Sequence, residues 1–202
     1  MKLYYAPGTC ALAPHIVAQE ANLPLDLAKV DMATKLLPDG SDFRAVHPLG
    51  YVPALQADGG LVLTEVAAIV QYLGDLAPQS GLVPAAGTNE RYILQQWLNF
   101  VATEVHKGFT PLFNKATVPE TREAVTATLS NRLRYLDGLL TGKDFLLFDR
   151  FTAADAYLFT VLRWTAFVGV DLTQWPALDR YVSQLRQRPS IVAAMQAQQI
   201  KR

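Results

Sequence analysis

The single cysteine of the chain, Cys10, is the first residue whose position suggests chemistry. It follows strand-forming residues 3–5 and a Pro7-Gly8 turn, and it precedes a helix-like stretch. A thiol at the start of a helix faces unpaired backbone N–H groups and the positive end of the helix dipole. Both lower the thiol pKa and favour the reactive thiolate. No second cysteine stands nearby, so a partner sulfur must come from outside the chain, most simply from a small thiol. The alternative is that Cys10 is a small buried apolar residue.

Two further segments have the chemistry to bind a peptide-like ligand. Val52-Pro53 ends a loop rich in chain-breaking residues and suggests a forced turn, which a cis or a trans proline bond could make. At an open strand edge the backbone of Val52 would pair with an extended peptide. Thr64-Glu65-Val66 opens a predicted helix, whose first amides bind carboxylates while Glu65 binds an amine. The pair of charges suits an α-amino acid group, and ordinary helix capping is the alternative.

The three histidines lack the spacing of metal ligands, and the sequence therefore predicts no metal. His106 lies late in the first predicted helix of the second half. His15 and His47 are interpreted as packing or solvated residues. The chain has neither a P-loop nor a G-x-G-x-x-G motif.

Charge and composition exclude several classes of protein. The chain has 18 basic and 18 acidic residues, and half of its 202 residues are hydrophobic. The basic residues cluster only near the C-terminus, at Arg186, Arg188, Lys201 and Arg202, so we expect no nucleic-acid partner. The most apolar stretch, 156–170, is too short to span a bilayer and contains an arginine. No signal peptide is recognisable, and a single cysteine favours the reducing cytoplasm.

The two halves of the chain have different hydrophobic patterns. Residues 1–77 predict an α/β domain of order βαβ then ββα: strands 2–5, 25–30, 54–57 and 61–63, with helices 11–21 and 65–76. Residues 78–88 are rich in proline and glycine and are interpreted as a linker. Residues 89–202 predict an all-helical domain with helices 90–107, 120–141, 153–168 and 175–199. Within it Leu129, Leu133, Leu136 and Leu140 form a helical stripe that we expect to be buried.

One local motif predicts a helix start. Thr152-Ala153-Ala154-Asp155 has the spacing of a capping box, in which the threonine and the acid each bond to the other's backbone N–H. We interpret it as structural, marking the beginning of a buried helix.

Several longer motifs resemble the cytosolic glutathione transferases, and most closely their bacterial beta class. The resemblance extends over essentially the whole length of the chain. The motifs are MKLYYAPGTCALAPHI, HPLGYVPAL, LTEVAAIVQYLGD, WLNFVATEVHKGFTPLF and FTAADAYLFTVLRW. The resemblance implies a thioredoxin-like N-terminal domain that binds glutathione, an all-α C-terminal domain and a homodimer. It also implies an enzyme that joins glutathione to electrophiles or uses it in thiol-disulfide exchange.

The resemblance further implies roles for individual residues. Cys10 would form a mixed disulfide with glutathione, and His106 would lie close to the sulfur. Tyr51 and Trp164 would line the pocket for the electrophile. The family's cis-proline falls on Pro53, so we expect the Val52-Pro53 bond to be cis. The glutathione-binding residues implied by the family are Lys35, Val52, Pro53, Glu65, Val66, Asn99, Thr103 and Glu104, the last three in part across the dimer interface.

Two departures from the family pattern stand out. The family's Glu-Ser is Glu65-Val66 here, so a hydroxyl is lost and glutathione affinity is expected to be weaker. The family's Asn-Pro is His47-Pro48, which we expect to change a loop contact and to leave catalysis alone. The alternative function is a non-catalytic protein of the same fold that binds glutathione or apolar ligands or that regulates. Retention of Cys10, Glu65 and His106 argues against the regulatory version.

Overall fold

A computed structural model describes residues 1–200, and the predicted basic contribution of Lys201 and Arg202 lies outside the described residues. Residues 1–200 form four strands and nine α-helices. The strands are β1 (Lys2–Tyr5), β2 (Asp26–Lys29), β3 (Ala54–Gln56) and β4 (Val62–Thr64). The helices are α1 (Leu12–Glu20), α2 (Val66–Leu76), α3 (Asn89–Phe100), α4 (Lys107–Phe113), α5 (Pro119–Leu140), α6 (Ala153–Leu162), α7 (Thr165–Val168), α8 (Pro176–Leu185) and α9 (Pro189–Ala197).

The N-terminal half is the small mixed sheet that its pattern predicts. The strand order is β2-β1-β3-β4, with β1 parallel to β2 and antiparallel to β3, and β3 antiparallel to β4. Leu3 on β1 and Leu55 on β3 are register partners and are fully buried. Burial of such aliphatic side chains stabilises the fold by roughly 1.5–3 kcal/mol each. The Val52-Pro53 bond that leads into β3 is cis, as predicted.

Helix α1 connects the two halves of the molecule. Its residues 12–18 are all buried, which follows from a sequence that is apolar around most of the helix. It packs against α2 in the first half and against α6 and α9 in the second. Cys10 lies two positions before α1 and is therefore held between the two halves.

The C-terminal half is helical, and its first helix is irregular. Between α3 and α4 the segment Val101–His106 is a π-helix, so the chain stays helical from 89 to 113 rather than ending at 107. Such π-helical segments occur often at functional sites, because they turn the residues that follow onto a different face. The predicted leucine stripe on α5 is confirmed, with all four leucines at most 1% exposed.

Two predicted helices are divided in the structure. Residues 153–168, predicted as one helix, form two helices: α6 ends at Leu162 and α7 begins at Thr165. The prediction 175–199 breaks at Arg188, whose ψ of 131° is extended, because a residue before proline avoids the helical region. Pro176 and Pro189 both begin helices, where a missing N–H costs nothing.

The predicted capping box at the start of α6 is present. The Asp155 carboxylate accepts hydrogen bonds from the Thr152 N–H at 2.8 Å and from the Thr152 hydroxyl at 2.9 Å. It also accepts from the Leu146 N–H at 2.7 Å and the Tyr181 hydroxyl at 2.9 Å. The motif therefore does more than start a helix, because it ties the loop before α6 and helix α8 to one buried carboxylate.

The segment between the halves packs closely on both. Leu82 and Val83 are buried, and the Leu82 carbonyl accepts from the Ala153 N–H at 3.0 Å. A side chain at Gly74 on α2 would collide with Val83, so the glycine permits this approach. The boundaries at 77 and 89 stay a prediction. Within residues 1–200 no helix combines the length and the apolar character that crossing a membrane requires.

Candidate active site

A cleft of about 710 Å³ lies between the two halves of the chain. The loop before α1, the cis-proline segment and the start of α2 form one wall, and residues of the π-helical segment, α4, α6 and α7 form the other. Its lining residues are Pro7, Gly8, Thr9, Cys10, Met32, His47, Tyr51, Val52, Pro53, Glu65, Val66, His106, Lys107, Thr110, Phe113, Tyr157, Trp164 and Phe167. The structure thus brings together eight of the twelve predicted site residues.

Cys10 reaches the cleft but is 9% exposed, and its thiol donates to the Val52 carbonyl at 3.5 Å. Burial raises the pKa of Cys10 to about 12, and the negative charge of Glu65 adds to the rise. The backbone N–H of Cys10 and the charge of Lys107 act in the opposite direction without overcoming burial. The predicted lowering of the Cys10 pKa is therefore wrong for the free protein, because the thiol loses more from desolvation than it gains at the helix start.

The wall of the cleft that belongs to the sheet half also presents groups that can bind a peptide backbone and its charged end. Val52 and Pro53 border the cleft at the entry to β3, and Glu65 and Val66 border it at the start of α2. Glu65 has a φ of 66°, which is uncommon for a residue with a side chain and marks a constrained backbone. The first N–H groups of α2, beginning with Val66, lack helical acceptors and are available to an anion.

His106 is held by two aromatic residues. Its Nδ1 lies 2.6 Å from the Tyr157 hydroxyl, and the two rings are nearly perpendicular. The Trp164 ring contacts the imidazole edge-on at a centroid distance of 4.9 Å. Burial lowers the pKa of His106 to about 4, and the charge of Lys107 adds to this. The imidazole is consequently neutral at physiological pH.

Trp164 joins the two halves at the cleft. Its indole N–H donates to the Gly8 carbonyl at 2.8 Å, across 156 positions of sequence. This bond holds the turn before Cys10 against the helical half. Trp164 also contacts Phe113 edge-on at 5.5 Å, and the exposed Phe167 continues the aromatic wall. The predicted wall residue Tyr51 borders the cleft with 61% of its surface exposed.

Four predicted glutathione residues do not line this cleft within one chain. The aliphatic stem of Lys35 lies beside Gly50, where an added side chain would meet it. The Asn99 carbonyl accepts from the Thr103 hydroxyl at 3.0 Å, and Glu104 accepts from Arg132 at 2.7 Å. Thr103 and Glu104 line a separate groove between the π-helical segment, α4 and α5. Their predicted contact with glutathione stays a prediction.

Sequence reasoning missed several cleft residues. His106, Thr110 and Phe113 have the spacing of a single helix face, which would have indicated the last two. The seven-residue spacing of Tyr157 and Trp164 would have paired these residues in the same way. The residues that line the cleft without having been predicted are Pro7, Gly8, Thr9, Met32, His47, Lys107, Thr110, Phe113, Tyr157 and Phe167. His47 was expected to affect a loop only, whereas it stands in the wall, edge-on to Tyr51 at 6.2 Å.

His15 is a packing residue, one of the two roles that the sequence left open. It is 1% exposed and lies 3.2 Å from the Gln198 side chain. Across residues 1–200 no cluster of three or more histidine, cysteine, aspartate or glutamate side chains has the arrangement of a metal site.

Two family models match the chain on either side of the linker. The glutathione S-transferase N-terminal domain matches residues 8–76, and the glutathione S-transferase C-terminal domain matches residues 100–189. Together they cover most of the chain and both walls of the cleft.

Individual relatives agree over full length. The chain is 42% identical to glutathione S-transferase GstA of Escherichia coli over 201 residues, which is all of both chains. A sphingomonad glutathione S-transferase solved in complex with glutathione is 43% identical, with a TM-score of 0.96 over 100% of both chains. The bacterial beta class glutathione S-transferase of Sphingomonas chungbukensis is 42% identical, again with a TM-score of 0.96 over 100% of both chains. The chain therefore belongs to the glutathione S-transferase family, and the bacterial beta class is the branch that its motifs and these structures both indicate.

Proposed function

We propose that the protein conjugates the glutathione sulfur to apolar electrophiles, and that the bound glutathione thiol, rather than Cys10, is the nucleophile. The observation that carries this proposal is the environment of the two groups. The Cys10 thiol is buried with its pKa raised to about 12, whereas neutral His106 borders the open cleft. A thiolate that enters with glutathione would meet a hydrogen-bond donor that Cys10 itself does not use.

Glutathione would lie along the sheet side of the cleft. The Val52 backbone would pair with the extended tripeptide, while Glu65 and the first amides of α2 would bind its α-amino acid end. Loss of the family's serine hydroxyl at Val66 leaves the backbone N–H as the donor. Bound in this way, glutathione would present its cysteinyl sulfur to Cys10 and His106.

The electrophile would lie against the aromatic wall of Trp164, Phe113 and Phe167. The thiol proton of glutathione leaves to solvent, the thiolate forms a bond to the electrophilic carbon, and the leaving group departs with its electron pair. The protein contributes by holding the two reactants together and by stabilising the thiolate. Turnover of a panel of aryl halides, peroxides and disulfides, each with and without glutathione, tests this proposal. Glutathione binding without turnover of any acceptor would instead support the non-catalytic binding protein.

Thiol-disulfide exchange through Cys10 is the second candidate, because the sulfur of Cys10 borders the same cleft. Oxidised glutathione would react with the Cys10 thiolate, forming a mixed disulfide and releasing one molecule of glutathione. Intact-protein mass after incubation with oxidised glutathione measures the adduct. Cys10→Ala would abolish the adduct and leave conjugation partly intact. An unmodified mass after prolonged incubation would remove this candidate.

A homodimer is part of the proposal. Tyr92 and Tyr135 are exposed to 61% and 53%, and Trp97 stacks on Tyr135 with ring centroids 6.3 Å apart. Such an aromatic face on α3 and α5 supports burial against a second copy. A partner docked there would bring Asn99, Thr103 and Glu104 near the cleft of the second copy. In each cleft Lys35 would approach the glycyl carboxylate of glutathione. Sedimentation equilibrium should give twice the 22.2 kDa of one chain, and a mass near 22.2 kDa at micromolar concentration would contradict the dimer.

The proposed setting is detoxification in the cytoplasm. The single cysteine can form no internal disulfide, and a reduced glutathione supply is the condition in which this chemistry proceeds. Fractionation of cells that express the chain tests the compartment.

A further inference from the structure

We infer that Tyr157 is a positioning residue that sets the protonation of His106: its phenol donates to Nδ1, so the imidazole keeps its proton on Nε2 and offers it to a sulfur in the cleft. The inference rests on the proposed role of His106. It names a residue that acts through His106 rather than on the substrate.

The hydrogen bond is short and buried. The Tyr157 oxygen and His106 Nδ1 are 2.6 Å apart, in the range of a strong hydrogen bond between neutral groups. Tyr157 is 2% exposed and lies on α6, a helix whose ten residues are all buried. Its ring therefore has little freedom to turn away, and it holds the imidazole at a fixed angle of 86°.

The direction of the hydrogen bond follows from the partners available. Among residues 1–200 the Tyr157 hydroxyl has no second hydrogen-bond partner. If it accepted a proton from Nδ1, its own O–H would lack an acceptor in a buried site, which costs roughly 1–3 kcal/mol. When the phenol donates, both the Tyr157 O–H and the lone pair of His106 Nδ1 are paired. Since burial keeps the imidazole neutral and raises the pKa of the phenol, both groups hold the protons that this arrangement requires.

The opposite ring nitrogen is free for a ligand. No hydrogen bond within the described residues uses His106 Nε2, and this atom is not one of the buried unpaired polar atoms there, which are Arg163 Nη1 and Gln198 Oε1. His106 borders the cleft together with Cys10, Trp164 and Tyr157. An Nε2–H at this point is a donor, and a neutral donor stabilises a thiolate without first having to lose a proton.

The experiment compares Tyr157→Phe with wild type and with Tyr4→Phe as a matched control. Tyr4 is also a buried tyrosine whose hydroxyl makes one hydrogen bond, to Gln56 at 3.0 Å, and it does not line the cleft. Nitrogen-15 NMR of the ligand-free protein reports which imidazole nitrogen carries the proton, with His15→Gln and His47→Asn used to assign the His106 signals. We expect the Nε2–H form in wild type and Tyr4→Phe, and a mixture of both forms in Tyr157→Phe.

Kinetics test whether Tyr157 acts through His106. Tyr157→Phe should lower kcat about tenfold and leave KM for glutathione within about twofold, as expected for a lost interaction that matters in the transition state. In a His106→Ala background the same change should have no further effect. A proton on Nδ1 in wild type, or an unchanged Nε2–H form in Tyr157→Phe, would overturn the inference. A mixture of forms with unchanged kcat would support the role of Tyr157 in setting the proton and would instead overturn the role proposed for His106.

Discussion

Cys10 and Asp155 occupy similar positions, each near the start of a buried helix that crosses the middle of the molecule, and the protein surrounds them in opposite ways. The Asp155 carboxylate accepts four hydrogen bonds from three separate segments of chain. The Cys10 sulfur instead donates to the Val52 carbonyl, a group that favours the protonated thiol. Burial raises the pKa of both groups. Hydrogen bonds from three residues oppose that rise at Asp155, whereas only a backbone N–H and the charge of Lys107 oppose it at Cys10. Position at a helix start therefore does not by itself make an anion.

The difference separates a structural site from a reactive one. The Asp155 carboxylate accepts all its hydrogen bonds from the chain itself and is not available to a ligand. Around Cys10 the unpaired groups belong to its neighbours. Val66 and His106 both line the cleft, the first amides of α2 lack helical acceptors, and no hydrogen bond within residues 1–200 uses Nε2 of His106. The comparison indicates that the cleft is prepared for an anion brought by a ligand.

The largest expected effect is on stability. Asp155→Ala removes the acceptor for four donors in a fully buried place and should reduce the free energy of unfolding by about 4 kcal/mol. Denaturant titration followed by circular dichroism measures the change. Asp171→Ala removes an exposed carboxylate that caps the short 3₁₀ segment Leu172–Gln174, and it should shift the midpoint much less. Equal shifts for the two variants would contradict the special role of the buried carboxylate.

Acid should destabilise the protein through His15, a buried group with few partners. Burial lowers the pKa of His15 to about 4, while the unfolded chain binds that proton near pH 6.5. The free energy of unfolding that neutral, buried His15 contributes is complete above about pH 6.5. It decreases by on the order of 3 kcal/mol as the pH falls toward 4. The free energy of unfolding of wild type and His15→Gln, measured between pH 7 and pH 4, should converge over this range. Parallel curves would contradict the assignment to His15.

Alkylation of Cys10 tests the other side of the comparison. Because burial raises the pKa of Cys10, ligand-free protein at neutral pH should react with iodoacetamide at least about tenfold more slowly than a free thiol of pKa near 8.5. The alkylation rate against pH, followed by intact mass, gives the midpoint. A midpoint below about 8 would restore the reactive thiolate that the helix-start position predicted.

The smallest expected effect is an absence of change. Because His106 is neutral down to about pH 4, kcat/KM for conjugation should show no decline near pH 6.5 that could be assigned to its protonation. Between pH 5 and 9, log kcat/KM for the electrophile at saturating glutathione should fall with a slope of one in both wild type and His106→Gln. The limb reports the thiol of bound glutathione and should lie at lower pH in wild type. A slope of two in wild type alone would show that His106 itself titrates and acts as a base.

Much of this molecule could be predicted from sequence, for reasons that differ by region. Three predictions follow from local patterns: the order of strands and helices in residues 1–77, the leucine stripe on α5, and the capping box. The first depends on a change between strand and helix periodicity, the second on a spacing of three to four residues, and the third on a spacing of three. The division of 175–199 at Pro189 was also within reach of the rule for residues before proline. The meeting of His106 with Tyr157, and of Trp164 with Gly8, joins positions 51 and 156 apart, and no local pattern encodes such contacts.

The error over Cys10 has a specific physical cause. The sequence shows that Cys10 precedes a helix. It does not show that the Val52 carbonyl lies against the thiol, or that Trp164 of the helical half bonds to Gly8 just before it. Burial of Cys10 removes water from the thiol and reverses the sign of its pKa shift. Donors and acceptors are local properties, whereas desolvation depends on every segment that packs nearby.

The most direct test of the bound-thiolate proposal is the ultraviolet thiolate absorbance of glutathione bound to Cys10→Ala, titrated against pH beside His106→Ala. The first variant contains no cysteine, so any protein-dependent thiolate belongs to glutathione. We predict that the thiol of bound glutathione ionises at lower pH than free glutathione in Cys10→Ala, and that this shift is largely lost in His106→Ala. A shift that disappears with Cys10 and survives the loss of His106 would contradict the proposal and return the reactive thiolate to Cys10.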